Sequence, residues 1–287
     1  MFLMYVLCLA IALGVVGIWR WGNLEVQPPW KDEDGAQIEP FPPSMGTIFR
    51  RYVWYVTVTI GAGVVSGVVM LGGGGRLVMR LLAATAGDEA QGRVTEADEV
   101  VGVITTDGSI GFIIFVGIFG GLLMSGLYMV TRRWLPRGRW GGAVYGAVIL
   151  IAIGTRIDPL RPDNVDFNIV GPGWLAVLAF SAILIGYGML LATLAGRYSR
   201  ALPLISKDVK TVAKHAPLLL LVPAFGLLIP LTGAGLLGLW FSRAKGVDDL
   251  LTSPGYLRGG RIAAAVLTAI ALPGFVIGIV DIATRPS

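Results

Sequence analysis

Seven apolar stretches run through the chain without one Asp, Glu, Lys, Arg or His: Phe2–Trp19, Tyr52–Gly75, Ile110–Thr131, Trp140–Thr155, Phe167–Gly196, Ala216–Ser242 and Ile262–Val280. A bilayer core takes about 20 apolar residues per spanning helix. Inside it, backbone polar groups must be satisfied within a helix or a closed barrel. The stretches therefore predict an all-α integral membrane protein, a bundle of about seven transmembrane helices near residues 2–19, 52–75, 110–131, 140–155, 174–196, 216–242 and 262–281. Only 14% of residues are charged, against roughly 25% in soluble domains. The connections are too short for a core of their own, so 1–287 reads as a single transmembrane domain.

Two stretches need comment. Trp140–Thr155 has 16 residues, about 24 Å of helix. It must stand nearly upright, thin the bilayer or sit among other helices. The stretch 216–242 carries Pro223 and Pro230, then Thr232, Gly233 and Gly235. It reads as a kinked crossing; the alternative is six helices plus a re-entrant hairpin at 216–242, which requires burial in protein or contact with water. The region before Phe2–Trp19 has no positive charge, so that stretch is expected to be a retained helix and not a cleaved leader.

Positive charge in short connections marks the cytoplasmic side. Arg132, Arg133, Arg137 and Arg139 crowd one connection, and Arg197, Arg200, Lys207, Lys210 and Lys214 another. Under seven crossings both lie inside, with the amino terminus outside and the carboxyl terminus cytoplasmic. One loop argues against this: Arg243, Lys245, Arg258 and Arg261 fall outside on that count. The location expected is the cell membrane. Lys207, Lys210 and Lys214 share one face of a short helix that Ser206 would cap, a stripe suited to anionic inner-leaflet lipid.

Residues 20–51 read as a Pro-rich cytoplasmic linker, and 76–109 and 156–173 as outer loops. Within the first outer loop, Arg76–Leu82 looks like an amphipathic continuation of the second helix. Asp107–Gly108 carries a turn signal for a small hairpin. Small residues recur four apart at Gly63/Gly67, Gly117/Gly121, Gly142/Gly146 and Gly274/Gly278. Such faces let backbones approach closely. Packing within the chain accounts for them more simply than self-association or docking onto other membrane subunits.

Much chemistry is excluded. The last apolar stretch has no lysine for a retinal Schiff base. The one cysteine, Cys8, and the one histidine, His215, cannot build a disulfide, a haem pair or a zinc site. No phosphate loop or dinucleotide fingerprint is present. The groups expected at mid-depth are hydroxyls: Thr57, Thr59, Ser66, Ser125, Tyr128, Tyr145, Ser181, Tyr187, Thr193 and Thr232. They should bond to their own or neighbouring backbone. No cofactor, no nucleic-acid partner and no enzymatic activity is expected.

One constellation carries candidate chemistry. Arg156, Asp158, Arg161, Asp163 and Asp166 follow the short fourth helix, and Arg76 and Arg80 lie on the same side. Guanidinium groups grip carboxylate or phosphate in two-pronged fashion. The cluster is either a ligand site for an anion or lipid headgroup, or a salt-bridged cap pinning loop to loop, and nearby carboxylates favour the cap. Among functions, a non-catalytic subunit, assembly or interaction protein ranks first. A small-solute permease or channel with an outer basic vestibule follows, then a protein that binds or modifies lipid headgroups.

Overall fold

The structure is a computed structural model that describes residues 2–31, 43–96, 98–103, 105–157, 160–224, 251 and 253–285. The described residues are helical apart from turns, extended connections and one antiparallel bridge, Val94 with Val100. We number the main helices α1 (Phe2–Trp21), α2 (Met45–Thr85), α3 (Thr106–Trp134), α4 (Gly138–Ile153), α5 (Gly173–Ala201), α6 (Val209–Lys214) and α7 (Pro254–Ala283). Helices α1, α2, α3, α5 and α7 are long and apolar enough to cross a membrane, and α4 is a shorter apolar helix. The chain is thus a multi-pass membrane protein.

Charges do not end these helices; caps do. Helix α2 was expected to begin at Tyr52, yet it starts at Met45, where Ser44 Oγ accepts from Thr47 N at 3.1 Å. Arg50 and Arg51 ride on its first turns. Arg50 Nε donates to Ile205 O at 2.6 Å, and Arg51 lies 5.0 Å over the Trp30 ring. At 41 residues, about 60 Å, α2 is about twice the thickness of a bilayer's hydrocarbon core. Helix α7 begins at Pro254, with Ser253 Oγ accepting from Tyr256 N at 3.2 Å. Asp107–Gly108 is not a hairpin turn but the first turn of α3, capped by Thr105, whose Oγ1 accepts from Gly108 N. The true hairpin lies earlier, closed by Thr95 N to Glu99 O at 2.9 Å and Val101 N to Arg93 O at 2.9 Å.

Glycine sets how closely the helices meet. Midway along α2 and α3 the winding loosens into π-helix over Gly67–Gly74 and Ile113–Gly120, and these two segments lie against each other. A β-carbon on Gly67 would fall on the Gly117 carbonyl, and one on Gly121 would fall 2.9 Å from Gly67 Cα. Gly142 of α4 meets Gly188 of α5 in the same way. Lipid offers no hydrophobic drive between helices, so this close backbone contact and its dispersion energy hold them. Around it lie Trp54, Val58, Ala62, Met70, Tyr128, Tyr145, Tyr187 and Leu191. The hydroxyls behave as expected: Thr57, Thr59, Ser66, Ser125 and Thr193 donate to backbone within their own helix. Tyr145 and Tyr187 tie α4 and α5 to α3 through Met124 O (2.6 Å) and Gly121 O (2.9 Å).

The two ends differ in charge. One gathers Arg50, Arg51, the 132–139 turn and the 197–215 segment; we call it the basic end. Trp30, 4% exposed, is driven into this end between Trp54 and Tyr55. The linker after α1 is therefore tucked into the bundle at 24–30, with Gln27 N donating to Ser199 Oγ at 3.1 Å, and does not simply lie along the surface. The other end mixes Arg76, Arg80, Arg156 and Arg161 with Asp88, Glu96, Glu99, Asp163 and Asp166.

Helix α7 departs from the seven-crossing scheme. Its first turns sit at the basic end, where Arg261 Nε donates to Trp134 O at 3.2 Å. Its last turns sit at the mixed-charge end: Arg285 reaches Pro162 O, and Ile282 packs under Gly173. Met4 of α1 borders Arg76 at that same end. The start of α1 and the end of α7 therefore lie at the same end of the bundle. The stretch 216–242 lies outside the described residues beyond Ala224, and 216–224 is a 3-10 helix. The lysine stripe is also changed. Asp208, not Ser206, caps α6 by accepting from Thr211 N at 3.2 Å, so Lys207 precedes the helix that carries Lys210 and Lys214.

Candidate functional site

At the mixed-charge end, α2 leaves the packed core and continues as an amphipathic helix. Val78 and Leu82 turn inward onto Leu160, Phe167, Ala176 and Ile282. Arg76, Met79, Arg80 and Ala83 fall on the other face by helical spacing, and all four line a cavity of about 680 Å³. The facing wall is the start of α3, where Thr105, Gly108, Ser109, Phe112 and Val116 follow the same spacing from the Thr105 cap. Met4 of α1 and Phe180 of α5 close the deep side, and the 95–103 hairpin with Asn164, Asp166 and Phe167 forms the roof. The cavity is thus apolar in depth and charged at its mouth.

Arg76 is its central group. The guanidinium lies 5.1 Å over the Phe112 ring. Its Nε is buried and has no hydrogen-bond partner, and among the described residues no carboxylate stands within ion-pair distance. Among the described residues its one hydrogen-bond acceptor is weak, Met79 Sδ at 4.0 Å. Across the Gly108 backbone stands Glu99. A β-carbon on Gly108 would touch Glu99 Oε1, Thr105 Oγ1 and Arg76 Nη2, so glycine lets these three groups gather round one point. Arg80 Nη1 donates to Gly102 O at 2.9 Å and holds the hairpin over the cavity.

The other expected site residues divide. Arg161 Nη2 lies 2.7 Å from both Glu96 oxygens, and its Nε is 3.2 Å from Asp163. Asp166 Oδ1 accepts from Glu96 N at 2.8 Å, and Asn164 Oδ1 from Asp166 N at 2.8 Å. Arg161, Glu96 and Asp166 form a clip that ties the 154–172 connection to the hairpin. Arg156 is exposed, bonds back to Ala152 O on its own helix and does not line the cavity. Asp158 lies outside the described residues. Arg76, Arg80 and Asp166 thus meet at the cavity, Arg161 and Asp163 belong to its clip, and Arg156 stands apart.

Sequence reasoning missed Glu96, Glu99, Thr105 and Phe112. The signal was available: a capping threonine at 105 fixes the register of α3 and places Ser109 and Phe112 on the face toward Arg76. Ser109 is buried, and its hydroxyl donates to Thr105 O at 2.9 Å. His215 is at the basic end, held at Thr211 O. Among the described residues no group of His, Cys, Asp and Glu could hold a metal ion. The arrangement suits binding: a guanidinium on an aromatic face is weakly hydrated and grips phosphate or carboxylate in a fork, while the depth accepts methylene groups.

No protein-family model, no curated protein and no solved structure matches this chain.

Proposed function

We propose that the protein is a non-catalytic membrane protein whose mixed-charge end faces outward and whose cavity there holds an amphipathic ligand with an anionic group. The observation that carries this reading is Arg76. A buried, unbonded guanidinium nitrogen costs about 1–3 kcal/mol or more, and its site opens into a cavity with an apolar floor. A phosphate or carboxylate would complete it. Arg80 supplies a second positive charge, and the clip of Arg161, Glu96 and Asp166 holds the roof.

Six crossings follow from the same reading, by α1 to α5 and α7, because the end of α5 and Leu251, which accepts from Arg133, both lie at the basic end. That end then faces the cytoplasm of the cell membrane, and Arg258 and Arg261 obey the positive-inside rule. Lys207, Lys210 and Lys214, all exposed, meet anionic inner-leaflet lipid there. Val209 and Val212, exposed beside them, enter the interface.

A second reading, a subunit within a larger assembly, is favoured by α7. Only 11% of its most apolar window is buried, less than in any other candidate span, and Gly274 has open space around it. The permease reading gains no support among the described residues, because below Phe112 the glycine-lined α2–α3 contact fills mid-depth.

The test is lipid retention in mild detergent, read by native mass spectrometry, for Arg76→Ala against Arg156→Ala. The expected result is loss of bound lipid only for Arg76→Ala. Equal retention by both variants would sink the reading.

A further inference from the structure

We propose that the cavity selects a zwitterionic headgroup, a phosphate joined to a primary ammonium as in phosphatidylethanolamine. This rests on the outer cavity being a lipid site and goes on to name its ligand.

Glu99 lines the cavity opposite Arg76. Its side chain is half-buried at the mouth and, among the described residues, makes no hydrogen bond or ion pair, although its backbone N–H is held by Thr95 Oγ1 at 3.2 Å. Arg76 faces it over the bare Gly108 backbone, equally without a carboxylate partner. Two opposite charges so near each other would ordinarily form a pair. Here they stand apart, each directed at the same opening. Half-buried charges without partners are costly, and a single ligand carrying both signs relieves both costs.

The spacing fits. In an ethanolamine headgroup two carbons separate phosphate from ammonium, and in the cavity Arg76 Nη2 and Glu99 Oε1 flank the point where a Gly108 β-carbon would stand. The phosphate lies on the Arg76 fork with Arg80 beside it, and the ammonium donates to Glu99. Choline is disfavoured, because a quaternary ammonium has no N–H to donate and is held by aromatic cages. The ring at this site, Phe112, is already covered by Arg76. A glycerol headgroup offers Glu99 only neutral hydroxyls and leaves the carboxylate without a cationic partner. The acyl chains run over Phe112, Val116, Met79 and Met4, and this apolar floor is why the ligand is a membrane lipid and not the free headgroup.

The experiment offers purified protein an equimolar mixture of phosphatidylethanolamine, phosphatidylglycerol and phosphatidylcholine in mild detergent, with bound lipid counted by native mass spectrometry. Wild type should hold phosphatidylethanolamine about tenfold over the other two, the ratio that one charge-assisted hydrogen bond supports. Glu99→Gln removes no bond present in the structure, so it folds, and its ratio to phosphatidylglycerol should fall to about one. Arg76→Ala should lose all three lipids, and Arg76→Lys should lower retention several-fold if the alanine variant does not fold. Wild type that favours phosphatidylglycerol, with Arg76→Ala still losing lipid, overturns the zwitterion assignment and leaves the cavity a lipid site. Retention unchanged in both Arg76 variants overturns both. Displacement by equimolar glycerophosphoethanolamine overturns a membrane lipid as the source.

Discussion

Replacing Gly67 by alanine adds one methyl group at one of the tightest contacts among the described residues. On an ordinary helix the change stabilises by about 1 kcal/mol through propensity. At Gly67 the methyl would fall on the Gly117 carbonyl, with Gly121 Cα 2.7 Å away. Both obstacles are backbone, so no rotamer change relieves them. Helices α2 and α3 must separate, and the Gly63–Gly121 contact above opens with them. Overpacking of this kind costs about 1–3 kcal/mol, and dispersion lost along the parted face adds to it. The net effect should be a loss of roughly 1–2 kcal/mol, opposite in sign to propensity. Gly274→Ala is the control: its β-carbon meets nothing within 4 Å, so it should be neutral or stabilise by up to about 1 kcal/mol. Denaturant titration in mixed micelles, followed by circular dichroism, measures both. Gly67→Ala as stable as Gly274→Ala would refute close backbone contact as the bundle's support.

Trp54, 0% exposed, donates from Nε1 to Leu202 O at 2.8 Å. Trp54→Phe should cost about 1–3 kcal/mol by orphaning that carbonyl, measured in the same titration. Arg161→Ala should change global stability by about 1 kcal/mol or less, because the clip is partly solvated. It should nonetheless speed amide exchange in the 92–101 hairpin, read by hydrogen–deuterium mass spectrometry. Lys210→Ala with Lys214→Ala should weaken a soluble 202–224 peptide on anionic vesicles by about 1 kcal/mol per charge. The difference should vanish in high salt.

What the sequence made legible was what the bilayer dictates. Uncharged runs located every described crossing, because hydrocarbon tolerates little else. The ends of the helices were harder. Helix α2 was expected to begin only after Arg50 and Arg51, yet it starts at Met45, because long cationic side chains reach toward water while their helix continues. Ser44, Thr105 and Ser253 were the true boundary marks, each a capping residue just before an apolar run. The glycine pairs were read correctly as intrachain packing faces at Gly63/Gly67, Gly117/Gly121 and Gly142/Gly146. At Gly274 the face is open, and four-residue spacing alone cannot tell one case from the other.

The site was half legible. Arg76 and Arg80 show their common face by spacing, but pairing depends on contacts distant in sequence. Arg161 finds Glu96, 65 residues away, and leaves Arg76 unpaired. The direction of α7 was hidden because it depends on whether 216–242 crosses or returns. The cations Arg258 and Arg261 carried the relevant signal, because the start of that helix lies with the other basic groups, where Arg261 Nε donates to Trp134 O.

The most direct test is sidedness. In a Cys8→Ala background, single cysteines replace Thr284, Asp98 and Lys207 and meet a membrane-impermeant maleimide on intact cells. The account predicts labelling of Thr284→Cys and Asp98→Cys from outside and protection of Lys207→Cys until the cells are opened. Thr284→Cys protected together with Lys207→Cys would contradict it.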